Sequence, residues 1–192
     1  MKIRLCRPIR KAFMSDTVVL RTAGAGDESV LVAVIAAAFE QYRGQLIPES
    51  GAFRETTGTI GRELAAGTGA IIAEQGEDAL GCVMLKPVDG DLYFGRLAVT
   101  PSARGRGIAR RLVKAVEDEG IRRGLAGVRL GVRIALTENQ RLFRSLGYVE
   151  ASREAHPGFD HPTSINMRKV LSTDRIDHHA PHPTEPARPE PL

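Results

Sequence analysis

The stretch RLAVTPSARGRGIARRL, residues 96–112, decides how this chain is interpreted. Apolar strand-like residues lead into a turn that contains Gly105 and Gly107, and the apolar spacing of a helix begins at Ile108. A helix N-terminus leaves several backbone N–H groups unpaired and carries a partial positive charge. Glycines let that backbone approach a ligand without a Cβ in the way. The stretch therefore predicts a strand, a turn and a helix that bind an anion, best a phosphate or pyrophosphate.

Two common phosphate-binding patterns are excluded. The sequence lacks G-x-x-x-x-G-K-[ST], and the dinucleotide pattern G-x-G-x-x-G fails because Arg110 stands where the third glycine belongs. Arg104-x-x-Gly107-x-Ala109 remains. This pattern resembles the R/Q-x-x-G-x-G/A loop with which GNAT acetyltransferases bind the pyrophosphate of CoA. The alternative is a plain strand-to-helix turn with surface arginines.

The sequence on both sides extends the resemblance. Leu97-Ala98-Val99-x-Pro101 is similar to the end of the family's fourth strand, and residues 128–132 stand where the fifth strand is expected. Asn139-x-x-x-Phe143-x-x-x-Gly147-Tyr148 resembles the helix that follows. The resemblance covers about residues 17–171 and is strongest from 92 to 148. Residues 156–159 and 162–164 look like a GNAT subgroup of unassigned substrate.

The resemblance implies that acetyl-CoA is the co-substrate and that no metal takes part. It implies a cofactor site on the strand end, the turn and the two following helices, formed by Leu97, Ala98, Val99, Arg104, Gly105, Arg106, Gly107, Ile108, Ala109, Arg110, Asn139 and Phe143. We expect Asn139 to help hold the pantetheine arm, with capping of its own helix as the alternative.

Enzymes of this family transfer the acetyl group directly, through a tetrahedral intermediate formed when an amine attacks the thioester. A backbone N–H near Leu97 and Ala98 is the expected donor to the oxyanion, so both residues are predicted to be catalytic. The family's usual proton donor to the thiolate is a tyrosine, but Phe143 occupies that position and cannot donate. Tyr148 is the alternative acid, although its counterpart in relatives usually packs in the core. A CoA thiolate can leave unprotonated, so Phe143 does not exclude activity.

The sequence does not identify the general base. The candidates lie near segments that border the acceptor cleft in relatives, and they are Glu40, Glu49, Asp91 and His156. Each can equally be a cap or a solvated surface group. No motif in the two helices or the two loops expected to shape the cleft (residues 42–53 and 153–164) names the acceptor.

Hydrophobic patterning around this centre predicts the order β-α-α-β-β-β-α-β-α-β-β. A strand at 17–20 precedes a helix that Asp27 caps, and a weaker helical pattern covers residues 50–64. Hairpin turns join the three central strands, whereas a doubly wound parallel sheet needs helical crossovers there. The fold class is therefore mixed α+β, with a largely antiparallel sheet of about seven strands and about four helices. Thr137 is the expected N-cap of the last helix.

The ends differ in composition from the centre. We expect a disordered N-terminal extension at 1–15, an acetyltransferase domain at 16–171, and a disordered tail rich in His and Pro at 172–192. His178, His179 and His182 could bind a metal, but no second ligand cluster supports this alternative.

Bulk composition narrows the function classes. The 192 residues carry a net charge of +4, but only 5% are aromatic and Trp is absent, which disfavours nucleic-acid binding. No apolar run reaches the roughly 18 residues of a membrane span. A disulfide between Cys6 and Cys82 is not expected, so the chain suits the cytoplasm. Residues 122, 123, 129 and 133 are arginines expected on a solvated face.

The sequence thus predicts an acyltransferase, specifically an N-acetyltransferase that uses acetyl-CoA and a primary amine of a small molecule or peptide. A non-catalytic acyl-CoA-binding module, suggested by Phe143, is the alternative, and a basic nucleic-acid-binding protein is a weaker one. A homodimer is common in the family, and the sequence does not decide it.

Overall fold

The computed structural model describes residues 17–172, and their elements follow the predicted order. The strands are β1 (Val19–Thr22), β2 (Gly69–Gln75), β3 (Asp78–Val88), β4 (Asp91–Val99), β5 (Gly127–Arg133), β6 (Val149–Glu154) and β7 (Ser164–Val170). The helices are α1 (Glu28–Phe39), α2 (Thr57–Ala65), α3 (Ile108–Arg122) and α4 (Thr137–Ser145). This mixed α+β architecture confirms the predicted fold class.

One seven-stranded sheet runs through the domain in the order β1-β2-β3-β4-β5-β7-β6. Every neighbouring pair is antiparallel except β4 and β5, which are parallel. Parallel neighbours need a long crossover, and helix α3 supplies it. The stretch quoted at the start of the sequence analysis is therefore the end of β4 and the beginning of this crossover.

The two faces of the sheet are covered differently. Side chains from β4, β5 and β7 form a core with α3 and α4 on one face, including Leu92, Leu130, Leu112 and Phe143. Helix α1 packs against β3 and β4 on the opposite face, around Leu31, Ile35 and Cys82. Strand residues alternate between faces, so β5 and β7 turn polar side chains to the α1 face: Arg129, Arg133, Ser164, Asn166 and Arg168.

Strands β4 and β5 separate halfway along β4. Their pairing begins at Asp91↔Gly127 and ends at Phe94↔Leu130. Just beyond, the register of β4 against β3 shifts between Cys82 and Met84, and Arg96 adopts a left-handed backbone with φ 51°. A β-bulge bends its strand and increases the local twist. The bulge therefore opens a notch between the ends of β4 and β5.

Gly81 on β3 allows α3 to pack close to this notch. A Cβ at this position would lie 2.8 Å from the carbonyl oxygen of Ala98. It would also lie 3.2 Å from Ile108 and 3.3 Å from Leu112, in the first turns of α3. A real Cβ does not approach a backbone oxygen this closely, so glycine sets the spacing of β3, β4 and α3 here.

Two local predictions were wrong. The helical pattern at 50–64 is interrupted, because Ser50 caps a short 3₁₀ turn and Thr56 then starts α2 with a capping box to Thr59. Thr137 is the first residue of α4 rather than its cap. The carbonyl of Leu136 accepts the first helical hydrogen bond, from Gln140, which makes Leu136 the cap.

Some sequence expectations are tested only partly or fall outside residues 17–172. No helix of the described segment is long and apolar enough to cross a bilayer. Cys82 is buried, and burial raises the pKa of its thiol to about 12. The N-terminal extension with Cys6 and the tail with His178, His179 and His182 lie outside the described residues. The cytoplasmic location, the domain bounds and the homodimer stay predictions.

Candidate functional site

The loop between β4 and α3 has a backbone that favours glycine at two positions. Gly105 and Gly107 both have φ 75°, in the left-handed region, and Gly107 is the N-cap of α3. No heavy atom lies within 4 Å of a Cβ built on either glycine. Ile108, the first residue of α3, is buried and anchors the helix to the core. The loop therefore presents the N-terminus of a 15-residue helix beside an open backbone surface.

Four exposed arginines surround this loop. Within residues 17–172 their hydrogen bonds go only to neutral oxygens: Arg104 to Gln41 (2.9 Å) and Ala38 (3.0 Å), Arg106 to Gln75 (2.7 Å), Arg110 to Ser145 (2.8 Å), and Arg111 to Val18 (2.8 Å). Most other described arginines form ion pairs with carboxylates: Arg21, Arg43, Arg96, Arg122, Arg123, Arg129, Arg141, Arg153 and Arg168. No carboxylate of the described segment thus neutralises the charge at the loop, which suits phosphate binding.

A cavity of about 350 Å³ occupies the notch between β4 and β5. Leu136, Asn139 and Phe143 line it from the α4 side. Tyr93, Arg133, Glu154, His156 and Asn166 line it from the opposite face of the sheet, with Leu97 at the β4 edge. The cavity therefore reaches both faces of the sheet, so two reactants could approach each other from opposite sides.

Beyond Phe94, no strand of the described segment pairs with β4 on its notch side. Pairing with β5 stops at Phe94, and neither Arg96 nor Leu97 belongs to a paired position with β3. Of the predicted site residues, Leu97 lines the cavity, whereas the side chain of Ala98 is buried beneath α1. Of the predicted residues, the structure thus brings Leu97, Asn139 and Phe143 to one cavity, and the arginine loop follows β4 directly in sequence.

Tyr148, the candidate acid, and Phe143, at the position of the family's usual proton donor, both pack in the core. Phe143 and Tyr148 contact each other and Phe94 edge to face, with ring centres 6.0 to 6.1 Å apart. Tyr148 is 1% exposed, and its hydroxyl has no hydrogen-bond partner among the described residues. Burial, reinforced by the nearby Glu117 carboxylate, raises the pKa of Tyr148. Tyr148 does not line the notch, which favours its packing role over acid catalysis.

Three of the four candidate bases lie away from the notch cavity. Asp91 is buried at the opposite end of β4, and the Arg168 guanidinium lowers the pKa of its carboxyl. Glu40 pairs with Arg43 on the surface. Glu49 is exposed and does not line the notch cavity. Only His156 lies in the cavity wall, so the structure retains one of these four candidates.

The hydrogen bonds of His156 define its protonation state. Its Nε2 lies 2.8 Å from a guanidinium nitrogen of Arg133, and Arg can only donate, so Nε2 is the acceptor. Its Nδ1 lies 2.5 Å from Thr163 Oγ1 and therefore carries the proton that is donated. Partial burial, followed by the positive charge of Arg133, lowers the pKa of His156. The imidazole is neutral at pH 7.

Three charged residues of the cavity wall were not identified as site residues from the sequence: Arg96, Arg133 and Glu154. Arg133 was expected on a solvated face, but it is partly buried and also donates to the carbonyl of Pro48. Arg96 binds Glu55 through two nitrogens, at 2.8 and 2.5 Å, and so fixes the α1–α2 connection to β4. For Arg133, the sequence signal was the alternation Arg129-x-Gly131-x-Arg133 on a strand. This alternation places residues 129, 131 and 133 on one face of the sheet.

We expect the neutral His156 to make the protein less stable in mild acid. Its folded-state pKa lies below the ordinary value of 6.5, so the unfolded chain binds the proton more readily. Stability should therefore decrease as the pH falls from about 7 to the lowered folded-state pKa, and this loss should stop below it. Urea unfolding of wild type and His156→Gln across this range tests the sign, with the exposed His161→Gln as control. Equal slopes in wild type and His156→Gln would contradict the assignment.

The sequence and the fold both match known acetyltransferases. The model of the acetyltransferase (GNAT) family matches residues 33–148. A curated relative from Azospirillum brasilense, named IAA acetyltransferase, is 30% identical over 104 residues, which are 53% of this chain and 67% of that protein.

Solved structures share the fold at lower identity. The ribosomal-protein-S18-alanine N-acetyltransferase from Escherichia coli superposes with a TM-score of 0.66 at 20% identity, over 85% of this chain and 100% of that one. The PaiA N-acetyltransferase from Thermoplasma acidophilum, solved in complex with coenzyme A, gives a TM-score of 0.66 at 16% identity, over 80% of this chain and 99% of that one.

Proposed function

This chain belongs to the acetyltransferase (GNAT) family of enzymes, and from that premise we propose that it transfers the acetyl group of acetyl-CoA to a primary amine of a small molecule or peptide. One observation carries the proposal. A loop with four arginines that no described carboxylate neutralises leads from a strand end that has separated from its neighbour to form a cavity. A cofactor with phosphates at one end and a reactive thioester at the other fits this arrangement.

The residues proposed to hold acetyl-CoA follow from the geometry. The N–H groups of the loop at 105–109 and the nearby arginines bind the pyrophosphate, because a helix N-terminus and guanidinium groups both favour anions. Asn139 and Phe143 border the path of the pantetheine arm in the notch. When bound, acetyl-CoA supplies the acetyl group as an activated thioester.

The protein's part in the transfer is mainly electrostatic and positional. The backbone N–H groups at 97–99 are proposed to donate to the oxygen that becomes negative when the amine attacks. Pairing with β5 does not reach these residues, and Leu97 also has no paired position on β3. A positioned donor of this kind is worth about 100-fold in rate or more. The amine enters from the sheet face of Arg133, opposite the α4 side.

The relatives suggest two classes of acceptor. The printed name of the Escherichia coli structure refers to an alanine of a ribosomal protein, and that of the Azospirillum brasilense relative refers to IAA. For this chain the acceptor stays a proposal at the level of an amine.

Amine-dependent release of CoA thiol tests the function. Purified protein with acetyl-CoA is mixed with a panel of amino acids, polyamines and short peptides, and the thiol is followed by a chromogenic reagent while mass spectrometry detects an added acetyl group. Thiol release that matches acetylated product supports the proposal. Tight acetyl-CoA binding without turnover of any amine would instead favour a non-catalytic acyl-CoA-binding module.

Replacing Phe143 by Tyr is expected to increase kcat. Phe143 lines the notch, so a hydroxyl added there could protonate the leaving thiolate. General acids contribute about 100-fold in favourable cases, and we expect about 3- to 10-fold here because the ring stays packed against Phe94. Steady-state kinetics at saturating acetyl-CoA measure the change. The control is Phe94→Tyr, which adds a hydroxyl to the neighbouring ring. If kcat of Phe143→Tyr is unchanged or lower than that of wild type, protonation of the leaving thiolate does not limit the rate.

A further inference from the structure

We propose that the acceptor amine also carries a carboxylate and that Arg133 binds this carboxylate. The inference rests on the proposed function and specifies its substrate class. Arg133 has the same property as the four loop arginines, because in residues 17–172 its hydrogen bonds go only to neutral groups, His156 and the carbonyl of Pro48. A guanidinium has five N–H donors, so three remain for a ligand.

The guanidinium of Arg133 lies in the same cavity as the proposed site of amine attack. The last β4–β5 pair is Phe94↔Leu130. Leu97 and Arg133 each follow it by three residues on their own strand, and both line the notch cavity. A carboxylate on Arg133 therefore lies near the proposed site of amine attack, as it would in an amino acid.

The other charged side chains of the cavity, Arg96 and Glu154, favour a ligand with a single negative group. Arg96 is already neutralised by Glu55, whose side chain is only 7% exposed. Glu154 forms no ion pair among the described residues and accepts a hydrogen bond from Asn166 at 2.6 Å. Both Arg133 and Glu154 pair with Ser164 in the sheet, so their backbones are two strand spacings apart, about 10 Å.

This pairing of charges favours a carboxylate over a phosphate. One unpaired guanidinium balances one negative charge, whereas a phosphate dianion would keep one uncompensated charge and would be repelled by Glu154 more strongly than a carboxylate. Glu154 in turn attracts the ammonium form in which an amine arrives. The chemistry of the site thus matches a zwitterion, with its anionic end at Arg133.

Paired ligands test the inference by binding as well as by turnover. Isothermal titration to CoA-saturated protein compares each amino acid with its carboxamide and with an aminoalkyl phosphate of similar length. We expect the carboxylate to bind at least about 10-fold more tightly than the carboxamide, the usual size of a charge-assisted hydrogen bond. Arg133→Gln should abolish the difference, and Arg133→Lys should restore part of it. Arg153→Gln, on β6 two strands away and paired with Glu150, is the matched control.

The outcomes separate this inference from the proposed function. Carboxylate preference lost in Arg133→Gln without any turnover would support the inference and contradict the function. Turnover without carboxylate preference, or an equal loss for both members of each pair in Arg133→Gln, would overturn the inference and show that Arg133 only anchors the loops at Pro48 and His156. Preference for the phosphate, or no binding of any carboxylated amine, would also overturn it.

Discussion

Reversing the charge of Arg104 is expected to weaken acetyl-CoA binding by about 100-fold. A hydrogen bond to a charged group is worth about 1.5–3 kcal/mol, and a glutamate adds repulsion of the pyrophosphate. At acetyl-CoA 100-fold above the wild-type Kd, binding should stabilise the wild-type protein by about 2.7 kcal/mol and raise Tm by roughly 5–10 °C. At the same concentration, Arg104→Glu should be stabilised by only about 0.4 kcal/mol, a Tm shift of about 1 °C.

A control is needed because Arg104 also holds the end of α1. Its guanidinium donates to the carbonyl of Ala38 and to the side chain of Gln41. Gln41→Ala removes one of these contacts and leaves the positive charge, so its acetyl-CoA shift should match wild type. A full wild-type shift in Arg104→Glu would contradict the proposed pyrophosphate site. If Gln41→Ala lost as much of the acetyl-CoA-induced Tm shift as Arg104→Glu, the position of the loop, rather than the charge of Arg104, would control binding.

Replacing Gly81 by Val should destabilise the folded protein by about 3 kcal/mol or more, at the upper end of the range for overpacking. The Cβ alone would meet the backbone oxygen of Ala98 at 2.8 Å, and that oxygen belongs to the strand beside the notch. The two methyl groups of Val would then press against Ile108 and Leu112 of α3. Relief requires β4 and α3 to move apart, so Tm should fall by roughly 6–12 °C.

Urea unfolding measures this cost, with Gly24→Ala as the matched control. Gly24 has no heavy atom within 4 Å of an added Cβ, so its substitution should change the free energy of unfolding by less than about 0.5 kcal/mol. The part of Gly81→Val that stays folded should also bind acetyl-CoA more weakly, because the loop at 104–107 connects the two displaced elements. Wild-type stability in Gly81→Val would show that this close packing does not constrain the notch.

The local sequence was sufficient for the fold class and for the turn between β4 and α3. The glycines at 105 and 107, the apolar spacing from Ile108 and the hairpin turns are short-range signals, since backbone preference and side-chain period act over a few residues. The order of elements and the strand–turn–helix course of the loop could therefore be predicted. The same reasoning was wrong at 50–64, where the capping box at Thr56 divides one helical pattern into two elements.

The acceptor side depended on contacts that no short segment contains. Arg133, Glu154 and His156 come together only because β5, β7 and β6 are paired in one register, and a shift of one residue would turn each side chain to the other face. The burial of Tyr148 and the position of Asp91 at the end of β4 away from the notch likewise follow from strand pairing and packing. Backbone preference thus specified the conformation of the proposed phosphate-binding loop, whereas sheet register and packing specified which charges face the proposed acceptor.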